Sequence, residues 1–477
     1  MIEIQIYDLV FIGINIKKIE LLINYKINLM KLLIRLIIIF SGINGLRAQT
    51  ALSFSEARDM MMNRNIQVKI NDKKIETSQY KIKSAEGMMY PQFKAFGNAT
   101  YSDKDSKVNL NDKRDGLATL LNLPSPTILG NWDFTLQKKD MEFGGFSMNW
   151  PVYTGGKIKS AIKIEKIKAE LAKADKSDSE QSLISELAER YFNTKLAEEA
   201  LGVKEDVVTV MNIHLANSLK LERNGIIAGV EVLQAKVAVV EAERQLLASK
   251  KDLQLARTAL SATLEQEEEF SLTSSFFLKE DIDSLQQYKE RAVANYSQIQ
   301  KLKLFEKMAE ENINAEKANH LPNVMITGQK IIASHNYPMV KNPLTVGIAV
   351  TYDIFNGFAR KNKILAAKSE KESIELSREK LQIDIRTYVE KLYNELKKSS
   401  EQIVSLSASI KLAEELVRIR KASYAEGMST STDVIDAELD LSGKKIEQLK
   451  AYASYDTNLA KLFEVCDMSD DYVQNAK

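Results

Sequence analysis

The chain repeats itself. The segment WPVYTGGKIKSA, Trp150 to Ala161, aligns with YDIFNGFARKNK, Tyr352 to Lys363, and NGIIAGVEVLQA, Asn224 to Ala235, aligns with EGMSTSTDVIDA, Glu426 to Ala437. Both alignments share one offset, since 357 − 155 and 427 − 225 are both 202, so the stretch between them matches in length without a gap. Internal repetition fixes an architecture before any residue is given a role, because each copy must fold as the same supersecondary unit. Here the unit reads as a strand, a glycine turn and a long helical hairpin.

Proline shows where the helices can run. All seven prolines fall in two windows, 91–151 and 322–343. Each would cost about 3 kcal/mol inside a helix, so the remaining stretches are free to form very long ones. Phe358 to Glu426 contains neither Gly nor Pro, and as one helix it would span about 100 Å. Leu381, Ile385, Tyr388, Leu392 and Leu396, like Ile184, Leu187, Tyr191 and Leu196, recur three to five apart among charged residues. Such a narrow apolar stripe suits coiled-coil packing with one face left wet. Gly225 and Gly427 interrupt the helices at matching points and are expected to turn the chain back, since glycine accepts the left-handed conformation that ends a helix.

Four segments alternate as strands do: about 91–101, 141–153, 322–334 and 344–355. In the last, Val346, Ile348, Val350, Tyr352 and Ile354 share one face, a pattern common to membrane strands and to half-buried strands of soluble sheets. A sheet in lipid must close on itself, and a single-chain barrel needs about eight strands. Four strands therefore mean either a soluble sheet or a barrel shared between copies. Pro91 to Gly155 spans 64 residues and Pro322 to Gly357 spans 35, so the first hairpin carries 29 more. The polar stretch from Ser102 to Asp140 is expected to hold them as an outer loop.

Residues 30–48 have the form of a secretory signal: Lys31 and Arg35, then the apolar run Leu36 to Phe40, then Leu46-Arg47-Ala48. Cleavage is expected after Ala48, with residues 1–29 a doubtful upstream extension. The remainder would carry 60 basic and 62 acidic residues, from 66 − 6 and 65 − 3. That balance argues against a nucleic-acid partner. One cysteine, Cys466, excludes an internal disulfide or a Cys-rich zinc site, and none near the cut argues against a lipid anchor. His214, His320 and His335 lie far apart with no metal-ligand spacing, and Gly144-Gly145 and Gly155-Gly156 lack the rest of a phosphate loop, so neither an enzyme nor a cofactor is expected. His214 reads as an exposed or interhelical residue.

In the aromatic-x-Gly turns Tyr153-Thr154-Gly155-Gly156 and Phe355-Asn356-Gly357, the strand entries Tyr90-Pro91 and Leu321-Pro322, and the tips Asn224-Gly225 and Glu426-Gly427 followed by Val232-Leu233 and Val434-Ile435, the chain resembles the TolC family of bacterial outer membrane efflux proteins. The resemblance covers essentially everything after the leader. It implies an α+β chain of mostly long α-helices. Three copies, each giving four strands, would form a 12-stranded transmembrane β-barrel continued by an α-helical coiled-coil barrel. It also implies a passive exit duct in the outer membrane of a Gram-negative bacterium, set in outer membrane lipid, with a periplasmic helical extension. Its partners would be a periplasmic adaptor (membrane fusion) protein and an inner membrane RND or ABC transporter. On this frame residues 49–265 form the first repeat, 266–284 an equatorial linker, 285–465 the second repeat and 466–477 a polar C-terminal tail. The competing reading is a periplasmic coiled-coil scaffold or adaptor-like protein with a soluble sheet.

The resemblance also marks a gate. Asp433 and Asp436 match two aspartates that line the periplasmic constriction, and in a trimer they would make a ring of six carboxylates favouring cations. Acids at a helix start also serve the helix dipole, and that reading stays open. Tyr424 and Glu231 match a polar network joining neighbouring tips. Ser429 stands where the family usually has an arginine, which leaves a Tyr424-to-Glu231 hydrogen bond in place of the closing salt bridge.

Overall fold

The computed structural model describes residue 30 and residues 50–266, 270–279, 281–336 and 344–476. The expected leader, apart from Met30, lies outside the described residues. In chain order the elements are β1 (Thr50–Leu52), α1 (Phe54–Arg64), α2 (Ile66–Gly87), β2 (Gln92–Tyr101), β3 (Ser106–Asn109), α3 (Asn111–Leu120), a 3-10 turn (Pro126–Leu129), β4 (Asp133–Gln137) and β5 (Asp140–Tyr153). Then follow α4 (Lys157–Arg223), α5 (Gly229–Leu264), β6 (Phe270–Leu272), α6 (Leu285–Asn295), α7 (Ser297–Ala318), β7 (Asn323–His335), β8 (Leu344–Thr351), α8 (Ala359–Ala425), α9 (Ser431–Val465) and α10 (Ser469–Asn475).

The repeat is visible element by element. Helices α4 and α8 each have 67 residues and start 202 apart, from 359 − 157. Helices α1 and α6 have 11 residues each and start 231 apart, from 285 − 54. The difference of 29 falls between them, in the excursion β3–α3–β4 that joins β2 to β5. Even the caps match: Ser53 with Glu56 and Ser284 with Gln287 both close reciprocal capping boxes.

The four long strands form one antiparallel sheet ordered β2-β5-β7-β8. Its register sorts the side chains by face. Phe93 pairs with Met148 and Met148 with Gly328; Trp150 pairs with Ile326 and Ile326 with Ile348; Val324 pairs with Val350. On the opposite face Gln92 meets Asn149, Lys94 meets Ser147, Ser147 meets Gln329 and Gln329 meets Thr345. Along these rows one side is an apolar band and the other largely polar, with Phe96, Phe143 and Ile331 also on the second side, and among the described residues both outer strands, β2 and β8, keep an unpaired edge.

At the other end of these strands the turns need glycine. Gly155, φ +63°, lies so close to the α7–β7 connection that an added Cβ would sit 2.7 Å from the Ala318 carbonyl oxygen. Gly156 caps α4 in the left-handed region, and in the second repeat Gly357 and Phe358 take those conformations, the Phe358 ring braced edge-on against Phe355 at 5.5 Å. Pro91 and Pro322 precede β2 and β7, where a missing N–H costs no ladder bond.

Midway along the helices is the main core. Strand β1 pairs in parallel with β6, and Phe54, Tyr191, Phe192, Phe463 and Tyr472 pack around them, each essentially unexposed. The stretch 266–284 is thus partly built into the core through Phe270, Leu272, Phe276 and Phe277. The tail differs from expectation as well. It forms α10, because Tyr472 finds the rings of Phe54 and Phe463 and the Ser274 hydroxyl donates to the Ala476 carbonyl. Through this core the buried residues of α8 run Ile385, Val389, Leu392, Leu396, Ser399 and Ile403. Their alternating spacing of four and three is that of a left-handed coiled coil. Val389, rather than the expected Tyr388, holds that seam. No helix among the described residues is long and apolar enough to cross a membrane.

Candidate functional site at the helix tips

Each helical hairpin turns on a glycine. Gly225, φ +67°, and Gly427, φ +71°, each follow the last helical turn. Around them Gly225 N–H donates to Glu222 and Ile226 N–H to Leu221, while Gly427 N–H donates to Tyr424 and Met428 N–H to Ser423. This paired pattern satisfies carbonyls that the helix end would otherwise orphan. The tips lie against each other, since a Cβ on Gly427 would stand 3.3 Å from Ile226.

The re-entering helices start differently, and the difference organises the site. Helix α9 has Thr430 as its N-cap and Asp433 at the third position, in a reciprocal capping box. Asp433 Oδ2 accepts from Thr430 N at 2.9 Å, Thr430 Oγ1 at 2.8 Å and Ser429 Oγ at 3.0 Å, and Arg420 lies 3.6 Å from its other oxygen. The Thr430 bonds, backbone first, with Ser429 and Arg420, draw its carboxyl pKa down to about 2. Helix α5 has Ala228 at the cap and lacks a side-chain cap bond. Its third-position acid, Glu231, the repeat counterpart of Asp433, instead crosses to the other hairpin and accepts from Ser431 N at 2.5 Å. One acid caps its own helix and the other caps its neighbour's.

Three further links tie the two hairpins. His214 Nε2 is 2.7 Å from Ser431 Oγ, Tyr424 Oη is 2.7 Å from Ser218 Oγ, and Thr432 Oγ1 donates to Gln234 at 3.1 Å. The His214 and Tyr424 rings touch at 4.8 Å, and both residues are buried. Burial first, and then Lys421, push the imidazole pKa below its usual value against the opposite pull of Glu231, so His214 is neutral at neutral pH. Lys421 is itself paired with Glu438, which is only 7% exposed.

Tyr424, Glu231, Ser429 and Asp433 are thus brought together at the tips, but with different partners from those expected. Within the chain Tyr424 bonds Ser218, and Glu231 bonds the α9 backbone; a direct Tyr424–Glu231 link is not the one formed, because Glu231 is engaged by a better-placed N–H. Asp433 is turned back onto its own helix start, whereas Asp436, one turn on, is exposed. Gly155, Gly156, Gly357, Pro91 and Pro322 lie at the opposite end of the long helices and belong to the sheet junction. Of the two readings given for His214, exposed or interhelical, the second holds, since it is buried against Ser431 of α9; sequence reasoning missed Ser218 and Ser431. Only the Thr430-x-x-Asp433 spacing was a local signal of a cap. An apolar cleft of about 430 Å³ opens beside the network, lined by Met211, Val230, Leu233, Val237, Ile435 and Leu439 among others.

The profile described as outer membrane efflux protein matches residues 59–265 and 289–466. Among curated proteins nothing matches. Among solved structures the chain is similar to CusC, described in terms of folding and transmembrane channel formation, with TM-score 0.72, 14% identity, and 88% of this chain and 92% of that one covered. It is similar also to the CmeC outer membrane channel of Campylobacter jejuni, with TM-score 0.67, 14% identity and coverage of 91% and 95%. The MtrE outer membrane channel of Neisseria gonorrhoeae, in its open state, gives TM-score 0.66, 16% identity and coverage of 87% and 89%. At these identities the likeness is one of fold.

Proposed function

The chain belongs to the outer membrane efflux protein family, and from that premise we propose that three copies of it build one continuous duct across the outer membrane and down into the periplasm. The protein is an outer membrane exit duct of an efflux system, with its helical part periplasmic, and it works with efflux-pump components. The observation that carries the trimeric reading is the sheet: four strands with, among the described residues, two unpaired edges, one apolar face and one largely polar face. Lipid tolerates no open edge, and three sheets of four close into twelve strands with the apolar band outward and the polar face lining water.

Movement through the duct is passive, driven by an inner membrane RND or ABC transporter through a periplasmic adaptor. The apolar tip cleft suits a helical hairpin of such an adaptor, as apolar grooves take amphipathic helices. The tips form the gate. In its closed state Tyr424 and Glu231 hold the second hairpin to the first through Ser218 and Ser431, and Ser429 with Asp433 fixes the start of α9. Asp433 and Asp436 supply the ring of six carboxylates, two from each of three copies. Since Asp433 is committed to its cap, the exposed Asp436 carries most of the field that a solute meets. A scaffold that merely washes off the membrane is disfavoured by the family.

Single-channel recording in planar bilayers tests this reading. Asp436→Asn is expected to lower the cation-over-anion permeability ratio several-fold, because three charges leave a narrow ring, while leaving the Asp433 cap intact. Unaltered ion preference in a conducting variant would remove Asp436 from the gate.

A further inference from the structure

The excursion between β2 and β5 carries a helix, α3, that leaves its leucines exposed. Asn111 and Arg114 of α3 face the protein beside the buried Ala118, while Asp112, Lys113 and Thr119 face solvent. Asn111 Nδ2 donates to Asn131 at 3.0 Å and Asp133 at 3.3 Å, and Asn111 Oδ1 accepts from Trp132 N at 2.9 Å. Arg114 donates to the Gly130 carbonyl at 2.8 Å, and the Trp132 indole N–H closes the same turn on the Leu129 carbonyl at 3.0 Å. These bonds pin α3 to the 3-10 turn and β4. Its leucines are left outside: Leu117 is 40% exposed, Leu120 83% and Leu121 57%, with Ile128 nearby at 62%. A surface helix normally buries its apolar stripe and wets the other side. Clustered exposure of this kind marks a contact surface rather than scattered surface apolars.

We propose that this face meets its own copies: neighbouring α3 helices touch through Leu117, Leu120 and Leu121 and narrow the outer mouth of the barrel. The proposal rests on the trimeric reading above. Strand β2, which leads into the excursion, is a free edge of the sheet. Barrel closure pairs that edge with β8 of the next copy, so the excursion rises beside the seam between copies, three times at one height. Charge disfavours lipid as the occupant. Helix α3 carries Asp112 and Asp115 against Lys113 and Arg114, with Arg114 held by Asp115, so it offers no basic cluster to anionic headgroups. Three or four side chains are too few for two free proteins, which need about 1,200 Å² or more. Copies already tethered by one barrel meet at an effective concentration on the order of millimolar, where a small patch suffices.

The test is Leu120→Cys, with Leu117→Cys as a second reporter, in the full chain in outer membranes under mild oxidation. The native Cys466 is fully buried and its thiol pushed up to about 12, so it stays silent. The expected result is a disulfide-linked dimer on non-reducing gels, joining at most two of every three chains. Oxidation should also lower bilayer conductance, and reductant should restore it. If native mass still gives a trimer but the introduced thiols stay monomeric, the proposal falls. Labelling by a membrane-impermeant maleimide would then mean a face open to water, and protection from it a face in lipid. Loss of the trimer itself would instead overturn the shared barrel and this contact together.

Discussion

Gly145→Val is expected to abolish assembly of the barrel. Gly145 lies in β5 at a register shift, opposite Ile331, where β7 carries one residue more than its partner. An added Cβ would stand 2.1 Å from the Lys330 carbonyl oxygen and 2.9 Å from the Ile331 Cα. Both are backbone atoms, so no rotamer relieves the clash; β7 must move away from β5 and lose ladder bonds. Overpacking that side chains can absorb costs about 1–3 kcal/mol. Here the strands must part as well, a large share of the roughly 5–15 kcal/mol that holds an ordinary domain together. Outer membrane fractions of cells making the variant should contain little or no trimer. Gly347→Ala is the matched control, because its Cβ would meet nothing nearer than Thr327 Oγ1 at 4.0 Å. Equal trimer yield from both variants would contradict the close approach of β5 and β7.

Asp456→Asn is expected to stabilise the protein, most strongly at alkaline pH. Asp456 is fully buried in α9, and neither carboxyl oxygen has a well-formed hydrogen bond. Burial drives its pKa from 3.8 up to about 9, with the Phe277 backbone pulling only weakly the other way. The folded protein therefore keeps a proton that the unfolded chain releases above about pH 4. That contribution is fully present below pH 4 and is lost progressively as pH rises towards 9, at about 1.4 kcal/mol per unit. By pH 7 the loss reaches roughly 4 kcal/mol as an upper bound. Asparagine keeps the shape and cannot ionise. The gap between variant and wild-type melting temperatures, followed by circular dichroism in detergent, should widen from pH 5 to pH 8.5. Parallel curves would mean that Asp456 is ionised in the folded state.

The sheet was legible because proline and glycine punctuate it. Strands expected at 91–101, 141–153 and 322–334 lie at Gln92–Tyr101, Asp140–Tyr153 and Asn323–His335, whereas the one expected at 344–355 ends early, at Leu344–Thr351, so Tyr352 and Ile354 fall outside it. The matched helices followed from one offset, and the extra 29 residues of the first hairpin from a difference of two lengths. What stayed hidden depends on contacts between distant residues. His214 meets Ser431 across 217 positions and Tyr424 meets Ser218 across 206, and nothing local in either segment foretells the pairing. The two acids at 433 and 436 looked equivalent by helical spacing, yet one is held by the cap and the other is exposed. The tail looked polar because its single tyrosine, Tyr472, gave no periodicity by which to see that it would be wholly buried.

The shared duct depends on a sheet that one chain cannot close. The mass of the assembly extracted from the outer membrane and measured intact in detergent or a lipid nanodisc tests this most directly. Three copies per particle, resistant to dissociation without heating, is the predicted result. A monodisperse single chain that remains in aqueous buffer and does not enter bilayers would contradict it.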